Sequence, residues 1–151
     1  MRCLFITLTI CVMALNPITG NYVLVPPHVP NKHIIPYVDK VAKKNNIEAD
    51  WLYRIVDEET DWSLIAPDGD SGKSYGLCQI QINTARAWGK IRGTDAQIAR
   101  SLLRPKRNLE ICGRVLKYLL KLYGGDKYKA TMAYNAGTRH VDYVENIVRR
   151  N

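Results

Sequence analysis

The chain has 151 residues, 46% of them hydrophobic and 24% charged, which is enough for one domain with a sizeable core; there are no internal repeats or low-complexity tracts. Its 22 Lys and Arg against 14 Asp and Glu give a net charge of +8, a balance suited to anionic partners such as cell-wall polymers or membrane surfaces. Nucleic acid is set aside as a partner, because the chain opens with an export signal and no basic stretch is interleaved with aromatics as a single-strand binder requires.

Met1 and Arg2 form a positive n-region, and Leu4 to Leu15 is a mostly apolar run too short to span a bilayer comfortably. Residues 1–20 read as a secretory signal peptide, with cleavage expected near Gly20 and export to the periplasm or cell envelope. Removing Arg2 with the signal leaves 21 Lys and Arg against 14 acidic residues, a net +7. Two of the four cysteines, Cys3 and Cys11, leave with it. Cys78 and Cys112 remain as a candidate disulfide in an oxidising compartment, the alternative being two small buried thiols.

Residues 21–33 contain Pro26, Pro27 and Pro30 with little periodicity and read as an extended lead-in. His28 and His33 have no partner at metal-ligand spacing, so neither a metal site nor a cofactor is expected. From residue 34 the pattern turns helical: Ile35, Val38, Val41 and Ala42 recur at spacings of three and four, closed by Lys43, Lys44, Asn45 and Asn46.

Asp50 is then expected to cap a helix whose apolar arc is Trp51, Leu52, Ile55 and Val56, with Glu59 pointing near the middle of that arc. Asp57 falls on the polar side, and Glu58 stands one turn after Arg54, where an ion pair is the ordinary explanation. A carboxylate on an apolar stripe is costly to keep ionised, the setting of a general acid. The plainer alternative is a Glu that tips outward as the apolar face runs out.

Pro67, Asp68, Gly69, Asp70, Ser71 and Gly72 are turn formers, so residues 63–75 read as a long loop forming one wall of a cleft. Further helices are expected from Asp95, acting as cap, through Leu103; from about Asn108 to Tyr123, burying Ile111, Cys112, Val115, Leu119 and Leu122; from about Asp126 to Asn135; and from about Arg139 to Arg150. No convincing alternating strand appears, and the fold class is all-α, a compact helical domain over residues 34–151.

Three separated segments then line up with one family. Glu59-Thr60-Asp61-Trp62 with Ala66 resembles the E-S-x-F…A segment of the soluble lytic transglycosylases. Gly76-Leu77-Cys78-Gln79-Ile80 with Thr84-Ala85 resembles their G-L-M-Q-I…T-A segment, and Tyr134-Asn135-Ala136-Gly137 with Val141 and Tyr143 their Y-N-A-G segment. Asn108 and Leu119 sit where the family has its N…Y-L pattern. Thr60, Trp62 and Cys78 replace the usual Ser, Phe and Met, and the loop between Ala66 and Gly76 is longer than the pattern, which leaves Ser71 and Ser74 as alternatives for the family's loop serine.

The resemblance implies a lysozyme-like fold with an active-site cleft, peptidoglycan glycan strands as substrate, and no cofactor. It implies cleavage of the β-1,4 bond between N-acetylmuramic acid and N-acetylglucosamine, with Glu59 as acid and then base and a 1,6-anhydro product. Gln79, Tyr134 and Asn135 would bracket the sugar, with Ser74 and Tyr75 beside them. Each also has a structural alternative: Gln79 holding loop backbone, Tyr134 packing on the core, Asn135 capping a helix. Two other readings stay open. One is a goose-type-like lysozyme, with Asp68 or Asp70 as a second carboxylate; the other is a non-catalytic peptidoglycan-binding component. Members of such a family serve secretion, conjugation and pilus machines, and a monomer is the expected state.

Overall fold

The computed structural model describes residues 32–63 and 74–135, with the backbone of two strands at 12–15 and 22–25. The signal-peptide boundary, the loop carrying Asp68, Asp70 and Ser71, and the helix expected from Arg139 lie outside the described residues. Strands β1 (Val12–Leu15) and β2 (Tyr22–Val25) pair antiparallel, Val12 opposite Val25. Part of the expected lead-in is therefore a strand, in keeping with its β-branched Val23 and Val25.

The rest of the described chain is six helices and one very short hairpin. Helix α1 (Ile35–Asn45) buries Val38, Val41 and Ala42 and ends at Asn46 in the left-handed conformation. Helix α2 (Ala49–Thr60) buries Trp51, Leu52, Ile55 and Val56, the arc read from the sequence. Its N-cap is Glu48; Asp50, expected to be the cap, lies in the first turn and pairs with Arg54 at 2.8 Å. A carboxylate there still meets the positive end of the helix dipole.

Strands β3 (Ser74–Tyr75) and β4 (Ile80–Gln81) pair antiparallel, a correction to the expectation of no strands. Helix α3 (Ile82–Gly89) follows at once and was not expected. Helix α4 (Asp95–Leu102) is capped by Thr94, whose hydroxyl accepts from the Gln97 N–H while the Gln97 side chain accepts from the Thr94 N–H. Asp95, expected as the cap, instead pairs with Arg86 at 2.6 Å. Thr94 takes the position because its hydroxyl and Gln97 satisfy two orphan N–H groups together.

Helix α5 (Pro105–Leu122) starts on Pro105, whose missing N–H costs nothing in the first turn. It is about 27 Å long at 1.5 Å per residue, and α1, α3, α4, β4 and helix α6 (Lys127–Tyr134) all pack on it. Leu109, Ile111, Cys112 and Leu116 are completely buried on its inner side. Burial of each such aliphatic side chain stabilises by roughly 1.5–3 kcal/mol. Leu122, expected inward, is 57% exposed. Gly113 sets the spacing between α5 and α1: a Cβ there would come within 2.5 Å of Val41 Cγ1 and 2.8 Å of Asn45 Nδ2.

Tryptophan 51 ties α2 to α6, its indole N–H donating to Thr131 Oγ1 at 3.0 Å, and the Thr131 hydroxyl donates in turn to the Lys127 carbonyl at 2.7 Å. The described part of the chain is thus an all-α domain with α5 as its axis. No helix among the described residues is long and apolar enough to cross a membrane.

Candidate active site

Glu59 sits in the last turn of α2, half-buried, next to the residue that anchors that turn. The Thr60 hydroxyl reaches the Val56 carbonyl at 3.2 Å and the Leu77 carbonyl at 3.0 Å, so its proton is shared between its own helix and the segment 76–79. After Thr60 the chain turns sharply through Asp61 and Trp62, both with positive φ. Non-glycine residues take this conformation only where the surroundings hold them. Trp62 is held twice, its indole N–H donating to Asp57 Oδ1 at 3.0 Å and its ring lying 5.6 Å from that of Tyr53. Asp57, which the sequence puts on the polar side of α2, is therefore the group that folds Trp62 back over the helix.

Segment 76–79 is a turn, and side chains from three helices grip it. Asn108 of α5, fully buried, uses its whole amide: Oδ1 accepts from the Cys78 N–H at 2.8 Å, and Nδ2 donates to the Tyr75 carbonyl at 2.7 Å and the Leu102 carbonyl at 3.1 Å. Tyr134 of α6 donates its hydroxyl proton to the Cys78 carbonyl at 2.7 Å. Thr60 of α2 holds Leu77. Gly76 makes the grip possible, because its φ is +71° and a Cβ would collide with the Leu102 carbonyl and the Asn108 amide. Turn hydrogen bonds of this kind are worth about 1 kcal/mol each, and leaving the buried groups unpaired would cost about 1–3 kcal/mol apiece.

The consequence for the candidate residues is direct. Gln79 is put into the left-handed region (φ 45°), half-buried, with Nε2 donating to the Gly76 carbonyl at 3.2 Å. That contact is the backbone-holding role weighed as its alternative. Cys78 is completely buried and close enough to Glu59 to feel its charge. Its thiol is pushed well above the ordinary range by burial first, then by its hydrogen bond to Cys112 and the charge of that group, with the Glu59 carboxylate adding in the same direction. Cys78 and Cys112 are both free thiols, adjacent but unbonded. The Cys112 Sγ lies 3.5 Å from the Tyr134 hydroxyl. Since that hydroxyl already donates to Cys78, the thiol is the donor here, and the order runs from Cys112 S–H to Tyr134 O–H to the Cys78 carbonyl.

Tyr134 is thus fixed against the segment that borders Glu59, and Asn135 follows it as the C-cap of α6, its N–H bonded to the Thr131 carbonyl at 3.1 Å. Tyr75 is half-buried in the short hairpin opposite Ile80, while Ser74, opposite Gln81, is only 4% exposed. The structure therefore brings Glu59, Cys78, Gln79 and Tyr134 to one junction of α2, the 76–79 turn and α6. Sequence reasoning assigned no role to Thr60 or Asn108, the two side chains that make the junction. Both were visible only as motif positions. Among the described residues, no group of three His, Cys, Asp or Glu side chains is gathered where a metal ion could sit.

An all-α lysozyme-like domain with a half-buried Glu at the end of one helix, facing a gripped Gly-Leu-Cys-Gln turn, defines the class. The family described as the transglycosylase SLT domain matches residues 36–150, and the chain belongs to that family. The X-ray structure of an inactive mutant of the lytic transglycosylase Slt from Pseudomonas aeruginosa is similar in fold, with a TM-score of 0.55 and 22% identity. The match covers 75% of this chain but only 20% of that one, so the matched part corresponds to a fifth of the larger protein.

Proposed function

We propose that the protein is a peptidoglycan lytic transglycosylase that cuts the N-acetylmuramic acid to N-acetylglucosamine β-1,4 bond without water. Glu59, protonated, gives its proton to the glycosidic oxygen as the bond to C1 breaks. The resulting carboxylate then takes the proton of the muramic acid 6-hydroxyl, whose oxygen closes onto C1 to leave a 1,6-anhydro end. Atoms and charge balance with a single protein carboxyl, because the nucleophile is the substrate's own hydroxyl; a second carboxylate at fixed separation, which hydrolytic glycosidases need, is not required.

The observation that carries this reading is the fixing of the 76–79 turn against the last turn of α2. Thr60, Asn108 and Tyr134 hold the turn, and Cys78 within it lies close enough to Glu59 to feel its charge, which supports Gln79 as the neighbouring substrate contact. Rigid placement of the acid and of the groups that orient a sugar accounts for most of what such a site must supply. Gln79 and Asn135 would hold sugar hydroxyl and acetamido groups through their amides, and Tyr134 would wall the site with its ring. Export to the periplasm or cell envelope, where peptidoglycan lies, belongs to the same reading and is supported by the n-region and apolar run at residues 1–15.

The test is a mass spectrum of products released from purified peptidoglycan by the wild type and by Glu59→Gln. Disaccharide products lighter by one water than hydrolysis would give, absent with the variant, are expected. Reducing-end products would make the enzyme a lysozyme and overturn the mechanism. Unchanged products with Glu59→Gln would remove Glu59 from it.

A further inference from the structure

We infer that an open trough along the outer side of α5 is a second glycan-binding site, which holds an uncleaved stretch of peptidoglycan by the carboxylates of its stem peptides. The trough encloses about 730 Å³. Its cations are Lys90, at the end of α3, and Arg114, Lys117 and Lys121 of α5. Among the described residues none of the four has a carboxylate within ion-pair distance. Elsewhere on the surface Arg54, Arg86, Arg107, Lys127 and Lys129 are paired, and Arg100 and Arg104, which have no carboxylate partner among the described residues either, are not part of the trough's lining. Four cations without a carboxylate partner among the described residues, lining one concavity, make a field that an anion satisfies.

The ligand is extended. Arg114 to Lys121 covers about 10 Å of α5 at 1.5 Å per residue. A second hollow of about 320 Å³ shares Lys117 and Lys121 and continues the groove to Ile47 and Gly125. A lone small anion would occupy a fraction of this length; a polymer with repeated charges fills it.

The ligand also has faces. Trp88 and Tyr118 pack tilted at the trough's edge, ring centroids 4.6 Å apart, with Tyr118 44% exposed. Arg114 fixes this edge by donating to the Trp88 carbonyl at 3.0 Å. An exposed ring beside cations presents an apolar platform for the C–H face of a pyranose while the cations take its charged substituents. An acidic peptide would use the cations and leave the rings idle.

The site is distinct from the one holding Glu59. At about 100° per residue, the trough's α5 side chains share an arc of about 100°, and Asn108, which grips the 76–79 turn, points roughly 130° away from its centre. Bound there, a strand would keep the protein on its substrate while another stretch is cut. The choice of peptidoglycan as the polymer rests on the activity proposed above; the trough's chemistry does not.

The experiment is co-sedimentation of the protein with purified sacculi, in the Glu59→Gln background so that no strand is cut. Lys117→Gln/Lys121→Gln is compared with Arg100→Gln/Arg104→Gln, an equal loss of charge at exposed positions outside the trough. The trough pair is expected to weaken binding about tenfold, a 1.4 kcal/mol change, and Tyr118→Ser to weaken it as well, with the Arg100/Arg104 pair near wild type. Sacculi with amidated stem carboxylates should abolish the difference. Equal losses in both pairs would reduce the effect to overall charge and overturn the site. So would a difference that survives amidation, or competition by polyglutamate that ignores Tyr118→Ser. Binding is read without turnover, so these outcomes stand apart from the product spectrum that tests the activity.

Discussion

Asn108 holds Cys78 by its backbone N–H at 2.8 Å across 30 residues of sequence, and with the same amide holds the carbonyls of Tyr75 and Leu102. One fully buried side chain therefore joins α4, α5 and the turn beside Glu59. Asn108→Ala would leave one N–H and two carbonyls without partners in a water-poor site. At about 1–3 kcal/mol for each unsatisfied group, less what relaxation recovers, the expected loss is about 3–4 kcal/mol. Denaturant unfolding measures it. A loss below about 1 kcal/mol would mean that water replaces the amide and that the turn is not gripped as described.

Thr60 separates two properties that the motif alone confounds. Its hydroxyl bridges Val56 and Leu77, and its methyl packs in a residue only 9% exposed. Thr60→Ser keeps the bridge and should retain most activity. Thr60→Val keeps the shape but presents a methyl to the Leu77 carbonyl, for an expected loss of about 1–2 kcal/mol. Because Glu59 is the preceding residue, turnover should fall more than stability accounts for. Parallel unfolding curves and initial rates on peptidoglycan decide this; equal rates in the two variants would detach the bridge from catalysis.

A pH effect follows from the contact between α1 and α2. Tyr53 donates its hydroxyl to Asp39 Oδ1 at 2.9 Å, and its pKa is raised from 10.0 to about 12, first by burial, then by that hydrogen bond and the Asp39 charge. The folded chain holds this proton more tightly than the unfolded one does. The stabilisation is therefore complete below pH 10 and lost as pH rises through about 12. Ultraviolet titration of phenolate in the wild type and in Asp39→Asn should show one tyrosine moving to lower pH in the variant. Identical titrations would rule the contact out.

Much of this architecture is legible in the sequence because it is written in local periodicity. Trp51, Leu52, Ile55 and Val56 announce the buried arc of α2, and Ile111 and Cys112 part of that of α5, whose Leu109 and Leu116 are buried without having been singled out, while Val115 and Leu119 are only partly buried. Helix α3 escapes this reading: of its eight residues only Ala85 and Gly89 are buried, and Asn83, Thr84 and Arg86 break any apolar stripe. The β3–β4 hairpin is two residues a side, too short for alternation to register. The expected caps Asp50 and Asp95 fall two and one residues after the true caps Glu48 and Thr94, because a carboxylate in the first turn and a carboxylate at the cap carry the same sequence signal. The site's framework is hidden for a different reason. Asn108 and Tyr134 bond to Cys78 across 30 and 56 residues, and no spacing rule reports contacts of that span.

The two inner thiols test how tightly that framework closes. Cys78 and Cys112 are both completely buried, the Cys78 thiolate is disfavoured by burial and by its neighbours, and Cys112 donates to Tyr134. Since alkylation proceeds through the thiolate, both should resist iodoacetamide in the folded protein at about pH 8, where an open cysteine is partly ionised. After unfolding both should label, as peptide mapping by mass spectrometry would show. Their adjacency adds a second expectation: glutathione disulfide, accepting the two electrons and two protons, should convert the pair to a Cys78–Cys112 bond once local opening admits it. That bond would remove the donor from Tyr134 and should lower turnover on peptidoglycan, with recovery on reduction. Rapid labelling of Cys78 in the native state would instead show that the turn beside Glu59 opens freely, and the gripped geometry would then be one of several that the segment visits.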